Sequence, residues 1–177
     1  MTKIIGFLRG INVGGHHKVP MADLQIKLME LGCENVKTLL NSGNFVFSIN
    51  EMNFQELEDK IEKHLFNAFG FPIPVILKYQ SEITDLINMN PFEKIIIHKD
   101  IRLYVTFLKS TPEVELTIPY ISKDNAFQII SVQNKIILSV LDLSVTKTTK
   151  GMDDLEKLFG KNITTRNWNT IVKISDI

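Results

Sequence analysis

The chain has 177 residues, with 20 Lys and Arg set against 20 Asp and Glu and a pI near 6.9. That length fits one compact domain or two small lobes, and the balanced charge argues against a dedicated nucleic-acid binder, whose footprint is an evident basic excess. A single cysteine, Cys33, excludes an intramolecular disulfide and a CxxC redox or zinc site.

Along the chain, residues 1–10 (MTKIIGFLRG) meet an arginine after a short apolar run, too short for the core of a signal peptide. Within it, residues 3–8 (KIIGFL) read as a buried strand. Residues 9–20 bring an arginine, three glycines, two histidines and a lysine before a helix begins. Over residues 21–31 the apolar positions Met21, Leu24, Leu28 and Leu31 recur at helical spacing, with Pro20 suited to the first helical position and Gly32 to the stop. Cys33, just beyond, reads as a small buried hydrophobe. Residues 35–40 (NVKTLL) and 45–49 (FVFSI) flank the NSGN of residues 41–44 as two strands joined by a short turn. Residues 54–69 form the clearest helix, with Phe54, Leu57, Ile61, Leu65, Ala68 and Phe69 on one face and Gly70 at its end. Residues 73–79 (IPVILKY) supply the next strand. The order β-α-β-β-α-β is that of a ferredoxin-like unit, expected over residues 1–80.

In the second half, Ser81 is expected to cap a short helix to Met89, broken by Asn90 and Pro91. Residues 101–108 (IRLYVTFL) read as a strand, and Pro112 and Pro119 bracket a segment of no regular pattern. Residues 126–132 (AFQIISV) and 135–141 (KIILSVL) surround Gln133 and Asn134 as a hairpin. Residues 146–150 (TKTTK) read as an exposed polar stretch, residues 152–159 as a helix stopped by Gly160, and residues 167–174 as a last helix. The fold class expected is α+β, with a second α+β lobe at residues 81–177 packed on the first as one compact unit. The longest uncharged run, residues 64–77, is interrupted by Gly70, Pro72 and Pro74 and falls short of the ~20 residues of a membrane helix. A cytoplasmic protein is therefore expected.

The opening loop carries the most suggestive chemistry. Gly10 and Gly15 stand at the spacing of a Walker A loop, between a strand and a helix, but His16 occupies the lysine position and no Ser or Thr follows Lys18. Two readings stay open. The glycines could let backbone amides converge on an anion, with Arg9, Asn12 and Lys18 adding side-chain donors. Alternatively, Gly10, Gly14 and Gly15 merely permit the positive φ of a tight crossover.

Arginine usage sharpens the first reading. The chain has 17 lysines and three arginines, Arg9, Arg102 and Arg166. Arginine's rigid fork suits bidentate contact with carboxylate or phosphate; its structural counterpart is an ion pair or a carbonyl clamp. His16, His17, His64 and His98 lack the spacing of metal ligands, so no metal or cofactor is expected. Ser42 lies between strands and reads as a turn serine. Phe7, Phe45 and Phe47 fall on the first and third strands, where an RNA-recognition sheet mounts its stacking aromatics, but the accompanying basic motif is missing and core packing is the favoured reading. In residues 164–170 (TTRNWNT), Trp168 reads as the anchor of the last helix, and Thr164 or Thr165 as its cap.

Several blocks together resemble a known family. LRGINVGG (8–15), KVPM (18–21), SGN followed by VF (42–47), NPF (90–92), VTFL (105–108) and TTRNWNT (164–170) are similar, in order and from end to end, to the bacterial proteins grouped as Domain of Unknown Function 1697. The chain departs from the pattern at Asn41, where the family more often has glutamine. The resemblance implies an α+β protein with a ferredoxin-like portion and brings no established activity, cofactor or substrate. It implies that the polar residues Arg9, Asn12, Ser42, Asn44, Arg166 and Asn167 characterise the group, at strand ends and turns where binding groups are commonly mounted.

The expectation is a protein that binds an anionic or phosphorylated small ligand through Arg9, Lys18 and Arg166, with Asn12, Gly14, Gly15, Ser42, Asn44 and Asn167 shaping the site. An enzyme of unassigned reaction, nucleic-acid binding through the sheet and a protein-interaction module are the alternatives. The enzyme reading lacks an evident nucleophile or acid–base pair in the sequence.

Overall fold

The short apolar run of residues 3–8 and helical spacing along residues 21–30 and 54–69 dictate the first layers of the protein. A computed structural model describes residues 1–50, 53–146 and 153–177. The protein is α+β and divides into two compact units, Met1–Leu86 with Val172–Ile177, and Ile87–Ile171.

The first unit runs β1 (Thr2–Leu8), α1 (Met21–Glu30), β2 (Glu34–Leu39), β3 (Asn44–Ile49), α2 (Phe54–Phe69) and β4 (Val75–Tyr79). The expected order of elements is the observed one. Its sheet has strand order β2-β3-β1-β4, antiparallel throughout. Ile4, Leu8, Phe45, Phe47, Val75 and Leu77 turn one face toward Leu24 and Leu28 of α1 and Leu57, Ile61 and Leu65 of α2, forming the core. Asn53 caps α2, accepting from the N–H groups of Gln55 and Glu56. Pro20 precedes α1 rather than opening it. Cys33 is buried, and burial pushes its thiol up to about 11, so it behaves as a hydrophobe.

β4 is an edge strand, and three carboxylates cover its free N–H groups. Val75 donates to Glu62 (2.8 Å), Leu77 to Glu58 (2.8 Å) and Tyr79 to Glu82 (2.9 Å). Such capping satisfies donors that would otherwise template another strand. Glu82 sits in α3 (Gln80–Asn88), which begins one residue before Ser81 and so does not use it as a cap. Gln80 and Thr84 of α3 meet Ser175, at 2.9 Å from the Ser175 carbonyl and 3.3 Å from its hydroxyl.

The second unit holds β5 (Ile101–Leu108), β6 (Tyr120–Ile121), β7 (Phe127–Gln133), β8 (Ile136–Asp142), α4 (Asp153–Phe159) and β9 (Ile163–Asn167); α5 (Trp168–Ser175) crosses the boundary. Its sheet is ordered β6-β7-β8-β5-β9. Phe127, Ile129, Ile137 and Leu141 pack with Leu155 of α4. The β7–β8 turn is made by Asn134 and Lys135, at φ 49° and 62°, one residue later than the sequence suggests. Residues 147–150 of the polar stretch and Met152 at the expected start of α4 lie outside the described residues.

Ser139 is the exception in this core. It lies on β8 opposite Tyr104 and Ile129, is fully buried, and its hydroxyl has no hydrogen-bond partner among the described residues. A buried hydroxyl without a partner is destabilising. Ser139→Ala should therefore raise stability by about 1 kcal/mol, read as a higher urea midpoint; a lower midpoint would show that the hydroxyl is bonded.

Candidate functional site

Residues 9–20 link β1 to α1 through a small hairpin. Val13 and His16 pair across a turn whose central residues, Gly14 and Gly15, sit at φ 59° and 80°. The His16 N–H donates to the Val13 carbonyl at 3.0 Å. Positive φ at both central positions is the twist-matched two-residue turn that glycine adopts without a Cβ penalty. A Cβ on Gly15 would meet nothing within 4 Å. Backbone conformation, not crowding, selects glycine at the tip.

Asn12, itself at φ 55°, fastens this hairpin. Its N–H donates to the His17 carbonyl (3.0 Å). Its Oδ1 accepts from the Val19 N–H (2.8 Å), and its Nδ2 donates to the carbonyls of Val19 (3.0 Å) and Asn41 (2.8 Å). Its side chain thus locks residue 19 and ties the hairpin to the β2–β3 turn. The bond to residue 41 uses a backbone carbonyl, which glutamine would supply equally well. His17 stacks on Phe71, with ring centroids 4.5 Å apart and its Nδ1 3.2 Å from the Gly10 carbonyl. Arg9 is half-buried, and Lys18 and His16 are exposed.

The NSGN turn is bound into the same end of the sheet. Leu8 donates its N–H to the Gly43 carbonyl at 2.8 Å. Asn44 is fully buried, and its Nδ2 donates to the Leu39 carbonyl (2.8 Å) and the Ser42 hydroxyl (2.9 Å). Arg9, Asn12, Gly14, Gly15, Lys18, Ser42 and Asn44 therefore gather at one end of the first sheet, where Asn12 and Asn44 hold backbone in place.

Arg166 and Asn167 belong to β9 of the second unit. Arg166 is buried and donates through one Nη to the Thr164 hydroxyl (2.7 Å) and the Thr165 carbonyl (2.9 Å). Desolvation pulls its guanidinium down to about 10, still protonated at neutral pH. Arg102 likewise clamps the carbonyls of Lys99 (2.7 Å) and Ile101 (3.0 Å). Thr164 and Thr165 are strand residues rather than helix caps, and Thr165 bonds Thr106 across the sheet at 2.8 Å. Asn167 takes the capping role, its Oδ1 accepting from the Asn169 N–H at 3.0 Å. Trp168 meets Phe92 edge-on at 5.1 Å, anchoring the start of α5.

Phe45 and Phe47 are core residues, and Phe7 points to the opposite face of the sheet; all three are 0% exposed. No face of these rings is open to a base. His64 meets Glu30 at 2.9 Å and His98 lies 4.0 Å from both Asp100 and Asp142. Among the described residues, no group of three or more His, Cys, Asp or Glu is placed to hold a metal ion. No helix among them is long and apolar enough to cross a membrane.

The opposite end of the first sheet carries a cavity of about 540 Å³, lined by Thr2, Ile4, Ile49, Asn50, Asn53, Phe54 and Tyr79. Sequence reasoning misses it, since these residues converge only once β1, β3 and β4 pair.

The fold is also that of a solved structure, a conserved bacterial protein of Streptococcus pneumoniae. The two superpose with a TM-score of 0.75 at 24% identity, covering 99% of this chain and 97% of that one. No curated protein matches the chain. The family profile described as "Protein of unknown function (DUF1697)" matches residues 1–137, so the TTRNWNT block of residues 164–170 lies beyond the matched stretch. With more than half of its length matched, the chain belongs to the DUF1697 family.

Proposed function

We propose that the first unit binds an anionic, phosphate-bearing small molecule where residues 9–20 and the NSGN turn meet, with Arg9 and Lys18 supplying positive charge. The observation that supports this reading is the pinning of the hairpin by Asn12, whose side chain makes three hydrogen bonds to Val19 and Asn41. A loop fixed in this way mounts its cations on a rigid scaffold. Asn12, Ser42 and Asn44 position the loops, while Gly14 and Gly15 allow the turn. Arg166 and Asn167 belong to the second unit, and the reading of the first stands without them.

The test is a thermal-shift screen with inorganic phosphate, sugar phosphates and nucleotides. A ligand held at 100 times its Kd stabilises by about 2.7 kcal/mol, well within detection. Arg9→Ala and Lys18→Ala should each weaken the binding about tenfold in variants that still fold. If Arg9→Ala lowers the ligand-free melting temperature and no ligand shift depends on it, the arginine is structural and the reading fails.

A further inference from the structure

We infer that the cavity at the far end of the first sheet is a second binding site, built for a flat heterocycle of the nucleobase or nucleoside class. Strand register creates it. Thr2 pairs with Ile49 and Ile4 with Tyr79, so these four side chains share the face that α2 covers. Yet α2 begins only at Phe54, leaving the last row of that face open. The recess lies six residue steps along β1 from Leu8, about 20 Å at the rise of a strand. It is separate from the loops proposed to hold an anion.

Its lining selects the ligand. Ile4 and Ile49, 2% and 7% exposed, give an aliphatic floor. Phe54 and Tyr79 pack with centroids 4.3 Å apart and form an aromatic wall. Thr2, Asn50, Asn53 and Tyr79, which also line it, carry hydroxyl and carboxamide groups able to hydrogen-bond a ligand. Asn53 Oδ1 is held by the N–H groups of Gln55 (2.9 Å) and Glu56 (3.3 Å), which fixes the side chain and leaves its amide nitrogen as the donor it can offer.

The polar groups among the described lining residues are carboxamides and hydroxyls, which offer both donors and acceptors to a polar edge. An alkyl chain would leave the carboxamides and hydroxyls unmatched on removal from water. A heterocycle has both a face for the aromatic wall and an edge that carboxamides read with paired hydrogen bonds. The volume lies within the range of small-molecule sites, about 300–1,000 Å³.

Titration of the ¹⁵N-labelled full chain with adenosine tests the assignment, with glucose as the non-aromatic comparator. The side-chain amide signals of Asn50 and Asn53 and the backbone signal of Tyr79 should shift saturably with adenosine, with Kd below about 1 mM. Tyr79→Leu, which keeps cover over Phe54, and Asn50→Ala should each weaken adenosine about tenfold, whereas Arg9→Ala should leave it unchanged. The absence of saturable shifts up to about 10 mM adenosine, equal shifts with glucose, or full retention of binding in Tyr79→Leu would overturn it. Dependence on Arg9 would do so as well, by assigning adenosine to the loop end.

Discussion

Gly43→Ala is expected to destabilise the first unit by about 2–4 kcal/mol, from two causes acting together. Gly43 lies at φ 76°, where an L side chain crowds its own backbone. A Cβ there would also stand 2.7 Å from the Leu8 Cβ and 2.8 Å from the Ile11 Cδ1. Leu8 and Ile11 are 1% and 3% exposed, so neither can move aside into solvent. The Leu8 atom is moreover fixed to the end of β1, whose N–H bonds the Gly43 carbonyl. Gly43→Asn separates the two causes. Asparagine tolerates the left-handed region but still carries the Cβ, so it should recover only the smaller, conformational part. Urea unfolding followed by circular dichroism should show the alanine midpoint lowered by about 1–2 M. An asparagine variant as stable as the parent would assign the whole effect to φ and remove the packing argument.

The elements most legible in the sequence are those whose burial follows a single period. Residues 54–69 form α2 as read, because Leu57, Ile61 and Leu65 repeat on one face and Asn53 supplies the cap. Residues 101–108 likewise form β5 as read. β9 is not legible, because its five residues include Thr164, Thr165, Arg166 and Asn167, which look like turn and cap chemistry. They sit in a sheet because their polar groups find partners there: Thr165 meets Thr106, and Arg166 meets Thr164 and the Thr165 carbonyl. A polar strand buried by mutual satisfaction leaves no hydrophobic period to detect.

The candidate site divides in the same way. Glycines in residues 9–20 announce a turn, and the turn is there. What Asn12 does depends on Asn41, 29 residues away, and no local pattern carries that contact. The cavity residues Thr2, Ile49 and Tyr79 are likewise joined only by strand pairing. Arginine scarcity marks residues of consequence, but in Arg102 and Arg166 the forks clamp carbonyls of their own unit.

Gly6 carries a hidden constraint of the same long-range kind, and Gly6→Ala should cost about 2–3 kcal/mol. Its φ is not among the left-handed ones, so conformational freedom is not the reason for glycine. On propensity alone alanine should stabilise a strand interior by about 0.5–1 kcal/mol. Phe45, its partner on β3, decides the sign. A methyl built on Gly6 would lie 2.6 Å from the Phe45 Cε1 and closer still to Cζ and Cε2. The ring is 0% exposed and packed beside Phe47 at 5.7 Å, so it has nowhere to turn. Phe45→Ala alone should cost about 3–5 kcal/mol through the cavity it leaves. In that background the methyl of Gly6→Ala enters empty space, and its penalty should vanish or reverse. The double variant should therefore be more stable than the sum of the singles requires, with a coupling of about 2 kcal/mol. Simple additivity in urea unfolding would mean that the ring and the glycine do not meet.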